Sequence, residues 1–325
     1  MNTDGLNLCL SVSIRGSLMG NSFNRAIPDQ KNLKLYFHHF LKEKPTNEGD
    51  LMTGNEKNYE TGAVPALVNE LRENFGPALE EIKAEDVRIG LAYTGVMLSD
   101  GYGGVACTPI FDFSGCPALG FAGRLKGSSA DTLLELALSK NHIEAAVGIA
   151  ASNALSHMLM DRKPENFPAS GPDTELDVLD LINPGDRVAM VGYFAPMVPS
   201  ISKKAGSLTV LEKREIESPK VKTLPSEKAE EVLPASDAII LSASTLANGT
   251  LDELLNFATS GEAREVILLG PSAPLYPKPF FERGVTAVMG TKITDSKNML
   301  TVLSEAGGTK KLHRCCGEKV AFRKK

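Results

Sequence analysis

Hydrophobic residues along the C-terminal half of the chain come in short blocks. Between residues 188 and 290 one pattern returns four times: an apolar run, a turn of small residues, then a helical stretch, as in RVAMVG-YFAP, DAIILSASTLANG and EVILLGPSAPL. Each run ends in Gly, Ser, Thr, Asn or Pro, where a strand hands over to a helix. The spacing predicts strands at 187–192, 208–212, 237–242, 265–270 and 285–289, with helices at about 197–205, 226–233, 249–259, 275–283 and 295–304. Strands alternating with helices imply parallel pairing through right-handed crossovers, a doubly wound sheet. A last strand candidate, EKVAFR, can add to the edge of a sheet.

The N-terminal half reads differently. Val64, Leu67, Val68, Leu71, Phe75 and Leu79 recur at helical spacing, which predicts one helix from Val64 to Ile82. Two strand candidates follow, DVRIGLAYTGVMLSD and GGVACTPI, joined by DGYGG and read as a hairpin. Then come two helices, SSADTLLELALSK with Ser128 or Ser129 as N-cap, and HIEAAVGIAASNALSHMLM. Antiparallel strands followed by helices make an α+β layer arrangement. The stretch DRKPENFPASGPD, with three prolines and no periodicity, reads as a linker. The expected organisation is an irregular leader at 1–60, an α+β domain at 61–160, a linker at 161–175 and an α/β domain at 176–325.

Composition narrows the function. The chain has 325 residues, 42% hydrophobic and 23% charged, with a formal net charge of -5. That balance argues against a nucleic-acid surface, and the basic tail Arg323, Lys324 and Lys325 reads as a solvated end. No apolar run approaches the roughly 18 residues of a spanning helix. The apolar segment NLCLSVSI is flanked by Asp4 and Arg15, against a signal peptide. Five cysteines in so long a chain suit a reducing compartment, so a cytoplasmic location is expected, and a homodimer is compatible with this architecture.

Candidate chemistry lies at strand ends. After the first α/β strand only Gly192 stands where a G-x-G-x-x-G turn would be, followed by Tyr193, Phe194 and Pro196, whose bulk would crowd a pyrophosphate. Glu212 ends the second strand, the place of an acidic ribose reader, though acids are common there. Ser242, Ser244, Thr245, Asn248, Gly249 and Thr250 bring hydroxyls, an amide and helix N–H groups together, or simply cap the next helix. Gly270, Pro271, Ser272 and Pro274 form a stiff loop, and Gly290 and Thr291 follow the fifth strand. The first domain offers Tyr93, Thr94, Asp100, Tyr102, Cys107 and Thr108. Cys107 and Cys116, with Asp112 between them, match no zinc-ligand spacing. Cys315 and Cys316 with His313 look more metal-like, but vicinal thiols chelate one ion poorly. Adjacent His38 and His39 face different ways. His142 reads as a helix terminus and His157 as a surface residue.

The strings GLAYTGVML, GGVACTP, FAGRLKG, GIAASNAL, VGYFAPMV, STLANGTLDELL, GPSAPLYPKPFFERGV and GTKITD resemble, in order, the putative heavy-metal chelation family, a domain of unknown function. The match runs from about Val64 to the end of the chain. The resemblance implies an enolase N-terminal-like domain followed by a Rossmann-like domain, with a site in the cleft between them. Carried over by motif, the site residues are Tyr93, Thr94, Thr108 and Asn153 from the first domain, with Gly192, Phe194, Thr245, Asn248, Thr250, Gly270, Ser272 and Gly290 from the second. The expected function is binding of a small anionic ligand or a metal chelate, with Asp100 or Cys107 approaching a bound transition metal. The alternative is an oxidoreductase or transferase whose nucleotide-containing cofactor is read by Glu212.

Overall fold

A computed structural model describes residues 62–110, 119–168, 173, 175–216 and 221–324. The leader with His38 and His39, and the stretch holding Asp112 and Cys116, lie outside the described residues.

The described residues open with α1 (Ala63–Phe75) and α2 (Ala78–Glu81). The single helix expected over 64–82 is broken at Gly76 and Pro77, where proline supplies no N–H to continue the ladder. Next come β1 (Ala84–Ile89), β2 (Tyr93–Leu98) and β3 (Gly103–Cys107), an antiparallel sheet in the order β1-β2-β3. The expected hairpin is therefore a three-stranded meander. The long first candidate folds back at Gly90, whose N–H donates to the Tyr93 carbonyl over 3.0 Å, and Leu91 stands 66% exposed at the tip. The apolar run there had hidden a turn.

Helix α3 (Ala130–Leu136) is capped by Ser129, and α4 (His142–Arg162) by Asn141. Every residue of α4 from 145 to 160 is buried. A helix that is apolar or small all round belongs inside, and α4 lies between β2 and β3 on one side and α1 and α3 on the other. Gly104 of β3 makes this close: a side chain there would meet the Ala150 carbonyl at 2.2 Å. His157, expected on the surface, is 7% exposed, because it sits on this enclosed helix with the Tyr102 ring edge-on at 4.9 Å.

The second sheet contains β4 (Arg187–Val191), β5 (Ser207–Glu212), β6 (Lys222–Pro225), β7 (Ala238–Ser242), β8 (Glu265–Leu269), β9 (Ala287–Ile293) and β10 (Gly317–Arg323). Its order is β10-β9-β8-β7-β4-β5-β6, parallel throughout except for β10, which runs antiparallel at the edge beside β9. Counting from β4, the parallel strands stand in the order 3-2-1-4-5-6 of the doubly wound class, with the crossover of direction between β4 and β7. The helices are α5 (Val198–Lys204), α6 (Ala229–Val232), α7 (Leu251–Thr259), α8 (Lys278–Phe281), α9 (Ser296–Ser304) and α10 (Thr309–Cys315). The strand β6 and the helix α10 carry too few apolar residues to have been expected.

Alternate residues of the central strands enter different cores. Val188, Met190, Val210, Ile240 and Ile267 pack with α5. Ala189, Val191, Leu211, Ile239, Leu241 and Leu268 join the core that continues into α4 and β2. Burial on both faces explains the near-continuous apolar runs. The outer face of the small sheet is covered by α9 and α10, through Met299, Leu303 and Leu312. The stretch after α4 packs as well: Phe167 is 7% exposed, with Tyr276 edge-on at 5.4 Å.

Candidate functional site

At the carboxyl ends of β4, β5 and β7 the sheet opens into a cavity of about 410 Å3. Open parallel sheets bind ligands at this point because neighbouring crossover connections leave on opposite faces and part there. Gly192 ends β4 with φ +89, a conformation L side chains rarely adopt, and an added Cβ would lie 3.0 Å from the Cβ of Ser242. The β4 turn is thus drawn against the end of β7.

Glu212 ends β5 on the cavity wall, with its side chain 14% exposed. Its Oε2 accepts the Tyr193 N–H at 3.1 Å, and its Oε1 accepts those of Lys213 at 2.9 Å and Arg214 at 3.3 Å. One carboxylate therefore clamps the β4 turn to the β5 turn. Across from it, the Thr245 hydroxyl donates to the Ser242 carbonyl at 2.6 Å and shapes the 3-10 turn after β7. The Ser242 and Ser244 hydroxyls lie 2.9 Å apart. Asn248 Oδ1 accepts the Thr250 hydroxyl at 2.8 Å and its N–H at 3.3 Å, which holds the turn locally beside the cavity, and neither side chain caps the first turn of the helix that follows.

Three stretches that sequence reasoning passed over complete the lining. Ser226, Glu227 and Glu230 come from the turn after β6 and from α6, while Glu253, Leu254 and Phe257 come from α7. The last three continue the STLANGT segment by one to two helical turns, so the 3.6-residue period could have extended the site to them.

The residues carried over by family resemblance do not converge on one place. Gly192, Thr245, Asn248 and Thr250 line the cavity, as does Glu212, the acid expected of the alternative reading. Phe194 packs beneath, against the core that holds α5. The others, apart from Tyr93 on the outer face of the small sheet, gather where that sheet closes over the ends of β8 and β9. Thr94 and Thr108, 0% and 4% exposed, share a hydrogen bond of 2.9 Å. Asn153 donates to the carbonyls of Val105 at 2.9 Å and Ser272 at 3.2 Å, and the Ser272 hydroxyl accepts the Cys107 N–H at 2.7 Å. Gly270, with φ +128, leads into this loop. Gly290 faces the Ala273 carbonyl, and Tyr93 is bonded to Thr309 at 2.5 Å. Among the described residues these groups bond mostly to one another, while the buried Oδ1 of Asn153 is left without a partner.

The metal candidates behave in the same way. Asp100 pairs with Arg162 at 2.5 Å. The Cys107 thiol points to the Thr108 carbonyl at 3.9 Å. His313 is bonded through Nε2 to Thr291 at 2.8 Å, and burial holds its pKa below the ordinary histidine value. Cys316 is 2% exposed, donates to the Leu312 carbonyl at 3.4 Å, and burial pushes its thiol up to about 11. Among the described residues no three His, Cys, Asp or Glu converge as a metal cage.

Fold and cavity together define a class: a doubly wound α/β protein with an antiparallel lobe packed on one end of its sheet and an open pocket at the crossover of strand order. Comparison with known proteins identifies the family. Two models described as "putative heavy-metal chelation" match residues 72–156 and 176–322, and the chain belongs to that family. An uncharacterized protein of Methanocaldococcus jannaschii is 29% identical over 240 residues, 71% of this chain and 86% of its own length. Two solved structures share the fold. A DUF364-family protein of unknown function from Pyrococcus horikoshii superposes with a TM-score of 0.67 at 26% identity, over 81% of this chain and 100% of that one. One from Desulfitobacterium hafniense gives 0.65 at 20% identity, over 80% and 99%. Among the described residues no helix is long and apolar enough to cross a membrane.

Proposed function

We propose that this protein binds a small organic ligand that complexes a heavy metal, and takes it as the ready-made chelate in the cavity at the ends of β4, β5 and β7. The observation that carries this reading is the cavity itself: about 410 Å3, open, and at the crossover of strand order. Its lining suits an organic molecule better than a bare ion. Ser242, Ser244 and Asn248 offer hydroxyl and amide groups, and Leu254 and Phe257 offer an apolar wall. With no convergent set of ligating side chains among the described residues, the metal must arrive with most of its own ligands.

Calorimetric titration with nickel(II), with free histidine and with their 1:1 complex tests this. Saturable binding of the complex alone, lost in Ser244→Leu, is the expected result. Equal binding of aquo nickel, or no saturable heat from the complex, overturns the reading.

One observation favours a second reading, an oxidoreductase or transferase with a nucleotide-containing cofactor: Glu212 lies on the cavity wall at the end of β5. Both of its oxygens already accept backbone N–H groups, which weakens the case for a ribose contact. Saturable heat from NAD+ or S-adenosylmethionine, abolished by blocking the cavity, would promote it.

A further inference from the structure

Given that the cavity is the ligand site, we infer that its occupant carries a positive charge on an apolar body, and that phosphate-rich or carboxylate-rich molecules are excluded. The backbone N–H groups at these strand ends, the donors a phosphate would need, are spent internally. The Gly192 N–H goes to the Leu211 carbonyl at 2.9 Å and the Tyr193 N–H to Glu212. Those of Lys213 and Arg214 also go to Glu212, and that of Ser244 to the Ser242 hydroxyl. The Thr250 N–H is shared between the Thr245 carbonyl at 3.1 Å and Asn248 Oδ1. The next helix opens with Asp252 and Glu253, which answer its dipole from within the chain. Asp252 is itself engaged, accepting the Ala63 N–H at 2.8 Å.

Carboxylates, by contrast, outnumber cations on the wall: among the described residues Glu212, Glu227, Glu230 and Glu253 line the cavity with one ammonium, Lys213, and Glu212 is held by backbone N–H groups and lies 4.0 Å from the Arg214 guanidinium. Glu227 and Glu230 are exposed on the turn after β6 and on α6, and no ion pair among the described residues engages them. A concave wall of one sign with a low-dielectric floor concentrates counter-charge, here cations. Val191, Leu211, Ala229, Leu254 and Phe257 form that floor, so an ammonium, or the cationic centre of a metal complex, at the rim would leave an apolar part to be buried. An incoming pyrophosphate would meet carboxylates and no free cradle of amides.

Tryptamine and indole-3-propionate present the same ring with opposite charges, and their titration into 15N-labelled full-length protein tests the inference. Tryptamine is expected to shift the amides of Ser244, Asn248 and Thr250 to saturation, with affinity falling as salt rises. Indole-3-propionate is expected to leave them in place. The triple variant Glu227→Gln/Glu230→Gln/Glu253→Gln changes only exposed positions, and should weaken tryptamine by at least about tenfold. Indole-3-propionate binding at those amides as tightly as tryptamine, or tryptamine binding that ignores salt and the triple variant, overturns the charge assignment and leaves the cavity as the ligand site. Silence from both compounds up to about 10 mM, beyond which contacts cease to be specific, overturns the site as well.

Discussion

The backbone N–H of Cys107, at the end of β3, donates to the hydroxyl of Ser272, on the loop after β8, over 2.7 Å. This bond joins residues 165 positions apart and, with Asn153 reaching the Ser272 carbonyl, closes the small sheet over the far half of the large one. Ser272→Ala leaves a part-buried donor without its partner, and should cost about 1–2 kcal/mol in stability. Urea unfolding measures it. Nickel–histidine binding in the cavity should stay at the wild-type level, since Ser272 is not on its wall; joint loss of both would tie the closed contact to the ligand site.

Glu212→Gln removes a charge and one of two acceptor oxygens from the clamp on the Tyr193, Lys213 and Arg214 amides. Hydrogen bonds to charged groups are the stronger kind, so a loss of about 2 kcal/mol is expected. Because the clamp sets the β4 and β5 turns, ligand affinity should fall together with stability. A variant with unchanged unfolding midpoint would show that the clamp is not needed.

His157 and His313 are both held below the ordinary histidine pKa, mainly by burial. In the unfolded chain each binds a proton more readily than in the folded one, so the unfolded state gains protons first as pH falls. Their neutral forms contribute full stability above the unfolded value of about 6.5, and that contribution declines as pH falls below it toward the depressed folded values. The unfolding midpoint should therefore drop on acidification through this window. His157 is flanked by Asp161, whose attraction works against the desolvation, and by Lys292, which adds to it. The double variant His157→Gln/His313→Gln should flatten the profile; an unchanged slope would assign it to other groups.

Cys316, at 2% exposure and with its thiol pushed up to about 11, should resist alkylation in the folded protein at pH 8. Its neighbour Cys315, half-buried at the end of α10, should react first. Peptide mapping after timed iodoacetamide treatment distinguishes them, with Cys316 labelled only after denaturation. Equal labelling rates in the folded state would contradict the packing of α10 against β9 and β10.

Several elements were legible because their causes are local. The turn residues after RVAMV, AIILS and EVILL mark strand ends whichever partners the strands find, and Ser129 caps its helix within three residues. Other elements were hidden for equally physical reasons. Lys222–Pro225 is too short and polar to announce a strand and becomes one by pairing with β5. The break at Gly90 lies inside an apolar run, and only the return of β2 along β1 exposes it.

By itself the sequence determined the alternation of strand and helix, the parallel pairing, the switch to antiparallel layering in the first half, and the polar groups at each strand end. Those follow from side-chain period and turn chemistry, which act over a few residues. Only the tertiary structure decided which strand ends remain open. The ends of β8 and β9 are occupied by Cys107, Asn153 and their partners, drawn across 119 to 165 residues of chain, while those of β4, β5 and β7 face solvent beside α6 and α7. Buried N–H and C=O groups must find partners, and which ones they find depends on how the whole core packs.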